Sequence, residues 1–459
     1  MTPATTSSND PQPFSESADI VIVGAGISGM SAAWSLQRQG KRVLVLEARE
    51  RVGGRTWTAD APGGPIDYGG MFIGETHHRL IALGRELGLE MTPAVKPGSG
   101  IFLIGGEVVE IPEEELPDDT EFATDYRALA EELETLGREI DLAAPWEHPR
   151  AAELDAMTVH SWLEGRSAHP SARALQRFAV NAVLGADSSE VSLLYWVYYI
   201  AQCEGLGMLL ATRGGAQNAW WIGGADQISR RIAEQLSPRV RLSAPVDGIR
   251  VDDLGVTVTS GDRSFRAEHV IIAAPPAAVQ GIHFEPPLPL DRRELNKRAP
   301  LGRMVKVQVR YREAFWLRNG YSGAITDCDE TGAFVFDGTK PQDSLAALIG
   351  FIGGAAYDEW FSRPEHERRT RLLGVLERLF GPEAATPEYY HETDWGTEEW
   401  TGGGPVTFMP PGVLSERGAA LRESIGRIHF AGTEASPQWS GYMEGGIRAG
   451  EAAARGLSI

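Results

Sequence analysis

Three glycines in the run Gly24-Ala25-Gly26-Ile27-Ser28-Gly29 stand between a short β-branched stretch, Asp19-Ile20-Val21-Ile22-Val23, and a segment with helical spacing of apolar residues. Backbone without β-carbons turns sharply, lets a pyrophosphate come close and lets a helix lie tight on a strand. The helix that follows supplies N–H groups and the positive end of its dipole to the phosphate. Glu47 ends the next β-branched stretch, where a carboxylate can accept hydrogen bonds from a ribose diol. A glycine-rich turn alone is commonplace, but here strand, turn, helix and acid coincide in register, which points to a dinucleotide. Spacing leaves NAD and FAD both open.

A second candidate is Lys306, in Met304-Val305-Lys306-Val307-Gln308-Val309-Arg310-Tyr311. The period of two predicts a half-buried strand carrying Lys306, Gln308 and Arg310 on one face. Taken alone, that pattern favours a lysine snorkelling from a sheet edge. The ten histidines show no ligand spacing, and no Ser or Cys stands in a nucleophile motif, so the reading assigns no metal and no acyl transfer.

These residues need elements to hold them. Residues 19–23 read as a buried strand, 27–39 as a helix and 41–46 as a second strand, a βαβ unit with a right-handed crossover. Residues 126–142 have helical periodicity, after an acidic connector over 110–121 broken by Pro112 and Pro117. Residues 240–242, 255–260 and 269–274 read as strands, 365–380 as a helix, 428–432 as a strand and 443–457 as an Ala-rich terminal helix. There is no internal repeat.

With 459 residues the chain divides into two or three domains. Its 43 basic against 63 acidic residues, a net charge of −20, argue against a nucleic-acid or anionic membrane partner. Cys203 and Cys328 are its only cysteines, which fits a reducing compartment and hence the cytoplasm. Residues 1–17 are polar and Pro/Ser/Thr-rich and read as a disordered tail rather than a secretory signal. The longest apolar run, residues 191–201, is about half of what a bilayer crossing needs, so no membrane anchor is expected.

The stretch Leu46-Glu47-Ala48-Arg49-Glu50-Arg51-Val52-Gly53-Gly54-Arg55-Thr56 resembles the N-terminal pattern of the flavin-containing amine oxidases, and so favours FAD. Phe430-Ala431-Gly432-Thr433-Glu434 and Trp439-Ser440-Gly441-Tyr442-Met443-Glu444-Gly445-Gly446 are similar to the same family's C-terminal flavin motif. Further likeness runs through residues 66–74, through Pro245-Val246 and through residues 310–316, and is greatest to the monoamine oxidases. The resemblance implies the amine oxidase fold: a Rossmann-type α/β FAD domain over residues 18–88, 221–296 and 398–459, interleaved with a substrate domain of mixed sheet and helices over 89–220 and 297–397.

It also implies a site. FAD would meet Gly24, Gly26, Ile27, Ser28, Gly29, Glu47, Ala48, Arg49, Gly54 and Arg55 from the first unit, then Gly70, Met71, Phe72 and Val246, and finally Trp395, Gly432, Thr433, Glu434, Tyr442 and Met443. Lys306 matches the family's lysine near flavin N(5), Tyr442 matches one wall of the aromatic cage and Trp395 the tryptophan beside the lysine, so these three carry the catalytic role. Leu209, Gln217, Phe334 and Tyr442 fall at substrate-lining positions, and Leu209 shares that assignment with its neighbour. Gly404 replaces the cysteine that links flavin covalently in the mitochondrial enzymes, implying noncovalent FAD, and Pro405 replaces the second cage tyrosine. Glu204 is an exposed loop residue in the plainer reading and a partner for a diamine's second charge in the sharper one.

The implied reaction passes a hydride equivalent from the amine α-carbon to the flavin, hydrolyses the resulting imine to an aldehyde or ketone, and lets oxygen reoxidise the flavin to give hydrogen peroxide. A flavin desaturase or dehydrogenase and a non-catalytic flavin-binding scaffold are the alternatives. The natural amine and the oligomeric state, a homodimer included, stay open.

Overall fold

The computed structural model describes residues 16–457 apart from 113–115, 117–119 and 167. Ile20–Val23 and Val43–Leu46 are buried at every position, as strands covered on both faces must be. They pair in parallel, and the sheet grows on either side with Val240–Arg241, His269–Ile272 and Ile428–Phe430 into a five-stranded parallel sheet. Chain segments from early and late in the sequence therefore enter one sheet, with Ile20–Val23 at its centre and Ile428–Phe430 at an edge.

Helix Ile27–Arg38 starts directly after Gly26 and closes the βαβ unit. Gly29 is what lets it lie so near the strand: a Cβ there would come within 2.0 Å of the Gly24 carbonyl oxygen. The terminal helix Met443–Arg455 lies against it through Gly450, whose Cβ would come within 2.2 Å of the Ser28 carbonyl oxygen. A second five-stranded sheet, with Glu16–Ser17, Arg263–Ala267, Gly255–Ser260, Gly248–Asp252 and His283–Glu285 in that order, packs beneath the parallel one.

The third sheet has seven strands in the order Tyr389–Asp394, Met304–Tyr311, Ala346–Gly353, Ala333–Asp337, Tyr321–Asp327, Ser99–Ile104 and Glu107–Ile111. Helices Glu121–Arg138, Pro170–Leu184 and Leu193–Gln202 build a separate apolar core, with Trp196, Tyr199 and Leu209 fully buried.

Four expectations need correction. Met304–Tyr311 is buried on both faces, not one, because an apolar core covers one face and residues 62–69 cover the other. Its odd-numbered residues enter an apolar core, while Lys306, Gln308 and Arg310 face the carbonyls of residues 62–69. Residues 16 and 17, assigned to the tail, form a strand on Phe265 and Arg266, and Arg241 holds Glu16 at 2.8 Å; residues 1–15 of that tail lie outside the described residues. The helix expected over 126–142 spans Glu121–Arg138, since acidic residues suit a helix's first turn. The first two residues of the acidic connector, Glu110 and Ile111, end the strand Glu107–Ile111, and part of the remainder lies outside the described residues.

Candidate active site

One cavity of about 1080 Å³ runs from the glycine-rich turn of the parallel sheet to the inner face of the seven-stranded sheet. Of the residues singled out in the sequence, Gly24, Gly26, Ile27, Ser28, Glu47, Ala48, Arg49, Gly54, Arg55, Gly70, Met71, Phe72, Val246, Lys306, Trp395, Thr433, Tyr442 and Met443 line it, as do Leu209, Gln217 and Phe334. Gly29, Gly432 and Glu434 stand behind the lining. Gly29 serves the helix packing described above, and Gly432 admits the close approach of the Glu434 carboxylate and the Ala274 carbonyl, each within 2.8 Å of where its Cβ would be.

At the parallel-sheet end the wall is mostly backbone. Gly26 faces Gly54, and the Gly53 N–H donates to the Ala25 carbonyl at 2.9 Å, so two glycine loops sit side by side. A Cβ on Gly26 would meet nothing nearer than 3.8 Å of protein, which leaves the space above it for a ligand. Glu47 accepts from the Ala25 N–H at 2.6 Å and the Arg49 N–H at 3.0 Å. Glu398 holds the Arg49 guanidinium through two hydrogen bonds of 2.9 and 2.5 Å, the bidentate geometry that fixes a guanidinium's plane. Arg55 reaches the Pro405 carbonyl at 3.2 Å and pairs with Glu434 at 3.2 Å. The other Glu434 oxygen, Oε2, is buried and has no partner, an acceptor waiting for a donor.

At the other end the wall is side chain. Residues 67–71 form a strap whose three successive carbonyls are gripped from the strands behind. Gln308 donates to Asp67 at 3.1 Å, the Trp395 indole to Tyr68 at 2.8 Å and Lys306 to Gly69 at 2.9 Å. The Lys306 amine also lies 3.1 Å from the Met71 sulfur and 5.1 Å from the Phe351 ring centre. Burial pushes the Lys306 amine down to about 7; Asp67 opposes that fall and Lys340 adds to it.

Tyr442, the residue before the terminal helix, stands with its ring edge-on to Trp439 and His77. His77 is wholly buried, accepts from the Gly74 N–H through Nδ1, and is held neutral down to about pH 3 by that burial. Phe336 stands edge-on to Phe72, Phe334 and Phe351, and Phe351 also tilts against Phe72, so the four rings form an apolar wall. Gln217 donates to the Leu209 carbonyl at 3.2 Å and keeps its own buried oxygen unpaired, one polar handle on that wall. Both Leu209 and Leu210 line the cavity, so neither register around that position is favoured.

Two lining residues, and one behind them, were missed in the sequence. Tyr199 carries a fully buried, unpartnered hydroxyl beside Gly441 and so adds a phenol to a cavity that lacks a ring at Pro405. It sits in an apolar helical run, where an aromatic reads as core. Glu134, on helix Glu121–Arg138, lines the cavity and accepts from the Leu206 N–H at 3.1 Å; Glu204 is exposed and does not line it. Arg51, which lies behind the lining, donates to the carbonyls of Val52, Gly54 and Thr56 and so ties down the second glycine loop.

Comparison with known proteins decides the family. The model for flavin containing amine oxidoreductases matches residues 27–458. This chain belongs to that family. Amine oxidase [flavin-containing] B of Sus scrofa is 38% identical over 451 residues, 96% of this chain and 86% of the pig protein, and amine oxidase [flavin-containing] A of Bos taurus is 36% identical over 443 residues, 95% and 84%. Among solved structures, cyclohexylamine oxidase from Brevibacterium oxydans IH-35A superposes with a TM-score of 0.95 at 53% identity, covering 96% of this chain and 98% of that one. Putrescine oxidase bound to putrescine superposes with a TM-score of 0.92 at 32% identity, covering 96% and 99%.

The amine oxidase fold expected from the motifs is the one observed, and the protein is a flavin-dependent amine oxidase with FAD as cofactor. The desaturase and scaffold alternatives give way to this. The residues of the cavity fit FAD: paired glycine loops leave room for a diphosphate, and Arg49 and Arg55 supply cations, Arg55 being held by Glu434 from behind the lining. Among the described residues no helix is long and apolar enough to cross a membrane, and no cluster could hold a metal ion.

Proposed function

We propose that this amine oxidase holds FAD noncovalently along Gly24, Gly26, Gly54, Arg55 and Thr433, and oxidises an amine presented to Tyr442 near Lys306, with molecular oxygen as the final acceptor and hydrogen peroxide as the by-product. The carrying observation is that Lys306, Tyr442 and the paired glycine loops all line one cavity, although they lie hundreds of residues apart. FAD, when bound, supplies the two-electron acceptor for the carbon–nitrogen oxidation. The apolar wall of Phe334, Phe336 and Phe351 keeps water from the reacting carbon and favours an uncharged amine. Tyr442 orients the nitrogen with its ring. Lys306, fixed on the Gly69 carbonyl, presents a donor whose proton is exchangeable close to neutral pH. The imine leaves to be hydrolysed by water. An amine that has lost its proton has a nitrogen lone pair to drive hydride loss, so no side-chain base is assigned.

Noncovalent binding is supported by Gly404 at the linkage position and by both cysteines standing off the cavity, Cys203 with its thiol pushed well up by burial. The five strands of the parallel sheet all come from the segments 18–88, 221–296 and 398–459, which supports that division into a cofactor unit and a substrate unit. The charge and the free thiols favour the cytoplasm. Anaerobic titration of the yellow protein with a panel of amines is the test. Bleaching by at least one amine, then peroxide on admitting air, is expected. No bleaching by any amine sinks the reaction, bleaching without peroxide sinks the role of oxygen, and flavin that stays on acid-denatured polypeptide sinks noncovalent binding.

A further inference from the structure

A second lysine is buried behind the first. Lys340, on the loop after strand Ala333–Asp337, is 4% exposed and lies 2.7 Å from Asp67 Oδ2. Asp67 is the first residue of the strap that Lys306 grips two residues later. Its other oxygen accepts from the Thr58 hydroxyl at 2.6 Å and the Ala225 N–H at 2.8 Å, so the carboxylate is held at both oxygens. A buried ion pair seldom adds much stability over apolar packing, which makes its presence beside a reaction centre informative.

The charged groups facing Lys306 are few. The strap presents Asp67, the loop presents Lys340, and the flanking strands present Phe351 and Thr393. Arg310, further along the same face, is spent on the Pro62 and Pro65 carbonyls. Without Lys340, Asp67 would be a buried, uncompensated carboxylate with Lys306 as its available counter-charge, and the Lys306 amine would be drawn along the strap toward it.

We propose that Lys340 is a positioning residue for Lys306: by neutralising Asp67 it keeps the Lys306 amine on the Gly69 carbonyl, at the cavity wall, and leaves it able to give up its proton. The chemistry is one proton exchanged between the Lys306 ammonium and solvent or substrate, with no change elsewhere. The direction of the electrostatics agrees, since burial and Lys340 both disfavour the charged Lys306 while Asp67 alone favours it. Burial would raise the Asp67 carboxyl, yet the two lysines hold it below its usual range, so it stays ionised.

The proposal rests on Lys306 acting at the reaction centre, and its test separates the two. The chain has five lysines, so side-chain 15N-labelled lysine in the holoprotein gives few amine signals, assignable by Lys306→Met and Lys340→Met. The Lys306 midpoint is expected to rise by about one pH unit or more in Lys340→Met and to fall in Asp67→Asn, because each leaves the opposite neighbour unopposed. The pH profile of flavin reduction by an amine should move with it. Should either single variant fail to fold, the double variant Asp67→Asn/Lys340→Met, with both charges gone, is expected within about half a unit of the parent protein. A Lys306 midpoint that does not move in Lys340→Met, or that moves the same way in both single variants, or a double variant displaced by a full unit, overturns the proposal. A midpoint that moves while flavin reduction keeps its pH profile supports the coupling and overturns the role of Lys306 instead.

Discussion

The two ends of the cavity are made differently. At the parallel sheet the wall is backbone: Gly24 and Gly26 from one loop, Gly53 and Gly54 from another, with Arg49 and Arg55 held beside them by acids. At the seven-stranded sheet it is side chain: Lys306 and the phenylalanines 334, 336 and 351 from three of its strands, and Trp395 from just beyond a fourth. Backbone recognition fixes local spacing and leaves a motif, whereas a side-chain wall depends on which strands pair.

The comparison can be broken most severely at Gly29. Gly29→Val drives a side chain into the Gly24 carbonyl and is expected to abolish soluble holoprotein, while Gly26→Val, with no protein atom closer than 3.8 Å to its Cβ, should keep the fold and lose the flavin. Circular dichroism and flavin content separate the two, and a fully yellow Gly26→Val would defeat the backbone cradle. On the other wall, Lys306→Met should stay yellow and lose amine turnover by about a hundredfold or more, as removal of one preorganised polar group does; undiminished turnover in steady-state assays would remove Lys306 from the reaction. Glu434→Gln weakens the Arg55 partner and the orphan acceptor together, and FAD dissociation followed by fluorescence should be about tenfold easier. The smallest effect is expected from Glu134→Gln, which should lower the preference for a diamine over a monoamine of equal length by about threefold, since the carboxylate is only half-buried. An unchanged ratio of kcat/KM values would leave Glu134 as a support for the Leu206 turn alone.

The parallel-sheet end of the cavity was legible because its geometry is local. Residues 20–23, 27–38 and 43–46 fell where continuous β-branched runs and helical spacing placed them, and Glu47 followed from the end of its strand. The end at the seven-stranded sheet was legible only through resemblance, and there the physical reading erred in an instructive way. A strand alternating Val with Lys, Gln and Arg normally has a wet face; here that face is dry, and its donors are spent on the carbonyls of residues 62–69. Nothing local in residues 304–311 announces the strap. Tyr199 and Glu134 were hidden for the opposite reason, since each looks ordinary on its own helix and acquires meaning only from the void it faces.

The close seating of helix Met443–Arg455 on the first helix has a consequence for any shortened form of the protein. The glycine turn after strand Ile20–Val23 is buttressed by a helix remote from it in the chain, through Gly446 and Gly450 lying on Ile27 and Ser28. A chain cut ahead of Met443 would carry the glycine motif without its buttress, and fading of the yellow colour would report the cut.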